Sequence, residues 1–180
     1  MANYRRLYTP GACYFFTLVA YRRQAIFCDA LFRSALRQAI VQTRIKYPFA
    51  INAWVLLPNH LHTIWTLPQG DANYSLRWQQ IKRKVSRTIG AEYNRAELLT
   101  PSKIKHREST IWQRRYWEHQ IRNQVDFNHH LDYCHYNPVK HRLCQKPKDW
   151  PYSTFNRYVN SGFYDNDWAS PCIELNIDGD

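Results

Sequence analysis

Two histidines separated by a single residue, His60 and His62, adjoin an apolar stretch that is typical of a β-strand. Side chains two apart on a strand point to the same face, so both imidazoles are predicted to project together while Leu61 faces a core. Two neighbouring nitrogen donors on a rigid element form half of a site for a divalent metal ion. Such a pair also occurs at ordinary polar positions of strands, so further ligands are needed to indicate a metal site.

Three residues further along the chain are spaced by four and could complete that site. His129, Tyr133 and Asn137 share one face if this stretch is helical. The amide oxygen of Asn137 is a hard ligand that suits Mg²⁺ or Mn²⁺, and Tyr133 could attack a phosphodiester bound to that ion. The alternatives are that Tyr133 is a core residue, that Asn137 ends the helix before Pro138, and that His129, a candidate proton acceptor, merely faces solvent.

The net charge is the strongest compositional signal. Lys and Arg number 25 against 14 Asp and Glu, which gives +11 at pH 7, and aromatic residues make up 16% of the chain. Basic side chains release counterions from phosphates and aromatic rings stack on unpaired bases, so nucleic acid with a single-stranded part is the predicted partner. The alternative is a soluble protein that is basic for other reasons.

The charge also divides the chain. After Arg157 there are five acidic and no basic residues. We therefore predict a single domain over 1–161, followed by an acidic tail over 162–180. The tail either lies over the basic surface and competes with DNA or is an ordinary solvated terminus.

Several protein classes are disfavoured. The sequence contains no run of 18 apolar residues, so a transmembrane helix is not predicted. The start of the chain lacks the apolar stretch of a secretory signal. Five scattered cysteines without a Cys-x-x-Cys pattern argue against a disulfide framework or a structural zinc site. These features predict a reducing compartment, the cytoplasm.

The periodicity predicts an α+β fold. Strands are predicted at 13–20, 49–57, 60–67 and 111–119, and helices at 29–47, 75–89, 125–136 and 150–158, with a loop over 90–110. The β-α-β-β-α-β order is typical of a ferredoxin-like (RRM-like) antiparallel sheet with helices on one face. An extra C-terminal helix, ended by Pro138, would carry the second cluster.

Five blocks of the sequence resemble one known family, in its order. They are 4–6, 52–65, 111–119, 132–141 and 149–155, and they include Pro58-Asn59-His60-Leu61-His62 and Asn137-Pro138-Val139-Lys140-His141. The first of these two resembles the His-hydrophobic-His motif of single-strand DNA nucleases. Together the blocks resemble the REP-associated tyrosine transposases, relatives of the single-tyrosine transposases of IS200/IS605 insertion sequences.

The resemblance implies that His60, His62 and Asn137 bind a divalent metal ion, Mg²⁺ or Mn²⁺, and that Tyr133 is the nucleophile. It implies cleavage of one DNA strand through a 5′-phosphotyrosine intermediate that can also rejoin strands. The implied substrate is a palindromic DNA hairpin flanked by a single-stranded tetranucleotide. A bacterial, nucleoid-associated protein that acts as a monomer is expected, although insertion-sequence relatives act as dimers.

Ten basic residues are candidate DNA contacts. They are Arg5 and Arg6 in an N-terminal arm, Arg77, Lys82, Arg83, Lys84 and Arg87 on one helix, Arg114 and Arg115 among aromatic residues, and Lys140. For the helix a solvated charged face is an equally good interpretation.

Two rival functions remain open. A non-catalytic hairpin-binding protein on the same scaffold would not need Tyr133. A replication or conjugation initiator of the same nuclease class would be expected to have a longer chain with an attached partner domain.

Overall fold

A computed structural model describes residues 8–169 of the chain. The four strands are β1 Cys13–Val19, β2 Ala50–Leu56, β3 His60–Thr66 and β4 Trp117–Gln120. The α-helices are α1 Ala30–Lys46, α2 Tyr74–Tyr93, α3 Pro101–Lys105, α4 Gln124–Lys140 and α5 Phe155–Asn160. Short 3-10 turns lie at Tyr21–Arg23, Ala96–Leu98 and Pro147–Asp149. Among the helices of this described part, none is long and apolar enough to span a bilayer.

The strands form one antiparallel sheet in the order β2-β3-β1-β4. This order, together with α1 after β1 and α2 after β3, is the ferredoxin-like arrangement, so the predicted α+β fold is confirmed. The central strand β1 is rich in aromatic and β-branched residues and is buried on both faces. Both faces are therefore covered, α1 and α2 lying on one and α4 on the other.

The core under α1 and α2 is rich in aromatic residues. Trp65 of β3 stacks on Trp78 of α2 with ring centroids 4.0 Å apart, and Phe16 of β1 meets Trp78 edge-on at 5.6 Å. All three side chains are fully buried. Large rings with preferred pair geometries hold α2 against the sheet in one orientation.

The core under α4 positions the candidate site. Phe15 of β1 and Ile64 of β3 meet Leu131 and Cys134 of α4 there. Residues of β3 alternate between the two faces, so Leu61 enters the aromatic core while the even-numbered residues face α4. This confirms the predicted orientation of the histidine pair.

Helix α4 differs from its prediction, since it continues through Pro138 to Lys140. A proline removes one backbone hydrogen bond to the carbonyl four residues earlier. The turn around it is nevertheless closed, because the backbone N–H groups of His141 and Leu143 donate to the carbonyls of Asn137 and Pro138. Asn137 is therefore inside the helix and does not end it.

The fourth strand also differs. The strand predicted over 111–119 starts only at Trp117, because Ile111 and Trp112 turn into the aromatic core instead. In this segment the backbone pairs with the end of β1 only through an isolated antiparallel bridge between Ala20 and Trp112. The predicted loop over 90–110 contains α3.

The predicted domain boundary after residue 161 needs correction. Tyr164 is only 6% exposed and packs in the core under α4, where its hydroxyl donates to Asp132 Oδ1 at 2.6 Å. Trp168 packs beside it, with ring centroids 4.6 Å apart. The folded unit thus includes the first part of the predicted acidic tail. Residues 170–180 lie outside the described residues, as do Arg5 and Arg6.

Candidate active site and basic groove

The two histidines of β3 form one wall of a buried polar site. His60 is 2% exposed and His62 is fully buried, and their ring centroids are 4.9 Å apart. Nδ1 of His62 lies 2.8 Å from the hydroxyl of Thr17, and Nδ1 of His60 lies 2.7 Å from Asn59 Oδ1. Because these contacts orient each ring through Nδ1, a metal ion would be held by Nε2.

Burial keeps His60 neutral. Desolvation, followed by the neighbouring His62 and His141, lowers the pKa of His60 to about 2. A histidine binds metal only in its neutral form. The ring therefore has the protonation state of a ligand at any pH near neutrality.

Asn137 of α4 forms the opposite wall. Its side chain is fully buried, and its Oδ1 lies 3.3 Å from Nε2 of His60. When Nδ1–H of His60 donates to Asn59, Nε2 and Oδ1 are two acceptors that face each other. Nδ2 of Asn137 has no hydrogen-bond partner within residues 8–169. Two facing acceptors are satisfied by a shared cation, and nitrogen with amide oxygen suits a divalent ion such as Mg²⁺ or Mn²⁺.

Tyr133 lies one helical turn before Asn137, as its spacing predicted. Its ring meets the His62 ring edge-on at 5.2 Å and the Phe15 ring at 6.0 Å. Nζ of Lys140 lies 3.5 Å from its hydroxyl oxygen. The four residues His60, His62, Tyr133 and Asn137 are thus together in space.

His129 is half-buried on the same helix. Within the described residues no hydrogen bond joins it to Tyr133. Its role as a proton acceptor stays a prediction.

His141 was missed by sequence reasoning. Its ring lies 5.0 Å from the His60 ring, and its buried Nε2 has no hydrogen-bond partner in the part of the chain described. It follows Asn137 by four residues, which is a usable signal. A helix that ended before Pro138, as predicted, would not place His141 on the face that carries Asn137.

A second polar cluster was also missed. His119 of β4 and Asp126 and His130 of α4 place ligand atoms within 4.8 Å of one another, close enough to hold a metal ion. Asp126 Oδ2 already accepts hydrogen bonds from Nε2 of His119 at 2.9 Å and from Nε of Arg122 at 3.0 Å. The cluster as observed ties β4 to the first turns of α4.

Five of the predicted DNA contacts share one groove. The groove has a volume of about 1110 Å³ and lies between α2 and the segment that leads into β4. These five are Lys82, Arg83, Arg87, Arg114 and Arg115, and Arg95 and Arg107 line the groove as well. Trp78, Trp112 and Tyr116 also line it. Lys82 Nζ donates to the carbonyl of Gln113 at 2.7 Å, so this lysine also holds the far wall in place.

The prediction that Arg77 contacts phosphate is wrong. Its side chain is 0% exposed and pairs with Asp71 at 2.8 Å, while also donating to the carbonyl of Pro48. It lies on the buried side of α2, next to Trp78. Lys84 also departs from expectation, because it donates to Gln42 of α1 and does not line the groove. Lys140 lies beside Tyr133, away from α2.

Comparisons with known proteins show the family of the chain. No family model matches the chain. A REP-associated tyrosine transposase of Escherichia coli strain K12 is 42% identical over 175 residues, which are 97% of this chain and 95% of that protein. A putative REP-associated tyrosine transposase of Haemophilus influenzae strain Rd is 42% identical over 181 residues, covering 100% and 99%.

A solved structure gives the same result. It shows a REP-associated tyrosine transposase bound to a REP hairpin, and it matches with a TM-score of 0.80 and 41% identity. The match covers 98% of this chain and 96% of the other. Likeness of sequence and of fold thus extends over nearly the whole chain, which belongs to the REP-associated tyrosine transposases and is an enzyme of that family.

Proposed function

We propose that the chain is a metal-dependent single-strand DNA endonuclease and strand transferase that acts on REP-type hairpins through a 5′-phosphotyrosine intermediate. The observation that carries the proposal is the placement of Tyr133 against His62 and one turn from Asn137. A tyrosine nucleophile needs its phosphodiester held and polarised within reach of its hydroxyl. The histidines of β3 and Asn137 of α4 would hold and polarise the phosphodiester next to the Tyr133 hydroxyl.

The metal ligands would be Nε2 of His60, Nε2 of His62 and Oδ1 of Asn137. The facing acceptors and the buried amide of Asn137 fit a hard divalent cation. When bound, Mg²⁺ or Mn²⁺ supplies Lewis-acid stabilisation of charge on the scissile phosphate. All three ligands are neutral, so we expect weak metal affinity until a DNA phosphate adds charge.

Tyr133 performs the covalent step. Its oxygen bonds to the phosphorus, and the bond from phosphorus to the 3′-oxygen breaks, which releases a 3′-hydroxyl. The 5′-phosphotyrosine keeps the energy of the phosphodiester. Attack by a 3′-hydroxyl therefore rejoins strands without ATP.

The basic groove would hold the hairpin. Arginine and lysine contact phosphates whatever the sequence, while the partly exposed Tyr116 offers a ring on which an unpaired base stacks. The relative whose structure has been solved is bound to a REP hairpin. We infer that the stem occupies the groove and that the flanking tetranucleotide leads to Tyr133.

A denaturing gel tests the proposal. The protein is incubated with a labelled, tetranucleotide-flanked REP hairpin and Mn²⁺ or Mg²⁺, beside Tyr133→Phe as the matched control that keeps the ring. We expect a protein-linked DNA band with the wild type and none with the variant or with EDTA. Tight hairpin binding without any covalent product, across several hairpins and both metals, would favour a non-catalytic binder.

A further inference from the structure

Lys140 occupies an unexpected place for a basic residue at the end of a helix. Lysines in the last turn usually interact with the exposed carbonyls of that end. The side chain of Lys140 instead reaches back along α4, so that Nζ lies 4.9 Å from the centroid of the Tyr133 ring and 3.5 Å from its hydroxyl oxygen.

The helix makes this contact specific. Residues four and seven positions after Tyr133 share its face of α4, and these are Asn137 and Lys140. Long helical side chains point toward the helix N-terminus, which directs the ammonium toward the phenol. One face of one helix thus presents a nucleophile, a candidate metal ligand and a positive charge in order.

We propose that Lys140 is a catalytic residue whose ammonium group neutralises the negative charge that forms on the Tyr133 oxygen and on the attacked phosphate. This inference rests on the proposed nuclease function. Tyr133 is only 6% exposed and its ring borders Phe15. Lys140 is itself exposed, but the Tyr133 side of the contact is poorly solvated, so the ammonium stabilises charge that develops there more strongly than it would between two groups in water.

The step balances without a further reactant. The phenolic proton passes to water, the bond between the Tyr133 oxygen and phosphorus forms, and the bond to the 3′-oxygen breaks. The departing electron pair stays on the 3′-oxygen, which takes a proton from water. Lys140 keeps its protons throughout and acts by its charge.

The test compares Lys140→Met and Lys140→Arg with a matched control. Lys46→Met serves as the control, because Lys46 also lies over a tyrosine ring, that of Tyr47 at 5.6 Å, but at the end of α1 on the other side of the sheet. Single-turnover formation of the covalent product is measured at saturating protein, and hairpin affinity is measured separately by fluorescence anisotropy.

We expect Lys140→Met to slow covalent product formation by roughly 10²-fold, as for loss of one preorganised charge-stabilising group, with hairpin affinity within a few-fold of wild type. Lys140→Arg keeps the charge and should recover part of the rate. Lys46→Met should react like wild type. A wild-type rate for Lys140→Met, or a loss that saturating protein abolishes, would overturn the proposal.

A modified substrate separates this role from protonation of the leaving group. Sulfur in place of the 3′-bridging oxygen departs without needing a proton. Lys140→Met should remain slow with this substrate, and full recovery would assign Lys140 to the leaving group instead. If wild type itself forms no covalent product, the proposed function fails. If wild type forms the product and the Lys140 variants form it at the same rate, this inference alone fails.

Discussion

Asn137 brings a neutral amide to a position where a carboxylate would bring charge. Its Oδ1 faces His60 at 3.3 Å inside a fully buried site. The charge of the ligands sets how tightly a hard cation is held. The affinity of the free protein for metal should therefore rise if this position carries a charge.

Changing Asn137 to Asp should strengthen metal binding by roughly tenfold or more, because it adds a negative ligand of similar shape. Without metal the same change buries a carboxylate next to His60, so thermal stability should fall and Mn²⁺ should restore it. Titration with Mn²⁺ followed by electron paramagnetic resonance gives the affinity. Equal affinities for wild type, Asn137→Asp and Asn137→Ala would show that Asn137 is not a ligand.

Residue spacing was enough to predict which side chains lie together at the candidate site, but not all of their contacts. His60, His62, Tyr133 and Asn137 were found because spacing by two and by four defines faces of strands and helices. Arg77 was predicted to contact DNA because of its charge, although its position next to Trp78 puts it on the buried side of α2. Spacing does not reveal that Asp71 makes burial of that arginine possible.

At the scale of elements, the position of α4 matters most, since this helix carries both the proposed nucleophile and the candidate metal ligand Asn137. Its first turns are held to β4 by Asp126, which accepts from His119 and Arg122. Burial raises the pKa of Asp126, but the hydrogen bonds from Arg122 and His119 outweigh it and hold the pKa well below its usual range. The carboxylate is thus ionised in the folded protein.

Asp126→Asn should lower the free energy of unfolding by about 1.5–3 kcal/mol, the range for hydrogen bonds to a charged group. Urea denaturation at pH 7 measures it. Asp167→Asn is the control, since Asp167 is an exposed partner of Lys146 and Lys148 and its loss should change stability much less than the loss of Asp126. Because the folded pKa is depressed, the contribution of Asp126 is present above about pH 4 and is lost as the pH falls below it.

The sequence could not show on which face of the sheet α4 packs. The periodicity of 125–136 reveals an apolar side, and both faces of the sheet are apolar in β1. The continuation through Pro138 was hidden as well, because it depends on backbone hydrogen bonds that form only when the following residues turn back. Tertiary packing decided both.

His135 makes the same helix sensitive to acid. Burial, followed by the charge of Arg157, lowers the pKa of His135 to about 3, against about 6.5 in an unfolded chain. The unfolded state then binds the proton first, so stability is lost as the pH falls below 6.5. At pH 5 this residue alone should lower the free energy of unfolding by about 2 kcal/mol.

The check is urea denaturation of wild type and His135→Gln between pH 7 and pH 5, with EDTA present. The variant should lose less stability over that interval, whatever its stability at pH 7. Parallel pH dependences would show that His135 does not carry the effect.

At the scale of the whole molecule, the sheet separates two surfaces. The basic groove lies on the side covered by α2, and Tyr133 lies on the side covered by α4. A DNA strand that reaches both must pass an edge of the sheet. Holding the stem and cutting the strand should therefore respond to different substitutions.

Replacing Arg83 and Arg87 by Ala should weaken hairpin binding and reduce the salt dependence, lowering the slope of log affinity against log salt by roughly 0.9 per lost phosphate contact. The rate of covalent product formation at saturating protein should stay unchanged. Arg37→Ala, an exposed arginine of α1 outside the groove, is the control. Affinity that equals wild type at every salt concentration would exclude the groove as the stem site.

The same separation has a consequence for how such a protein changes over generations. If the groove holds the stem as proposed, mutations that reshape it would alter which palindromes are held and would leave the Tyr133 side of the sheet intact. Target preference and cutting chemistry would then be inherited as two independent traits. A lineage of these chains would be able to follow its hairpins as they diverge, without passing through inactive intermediates.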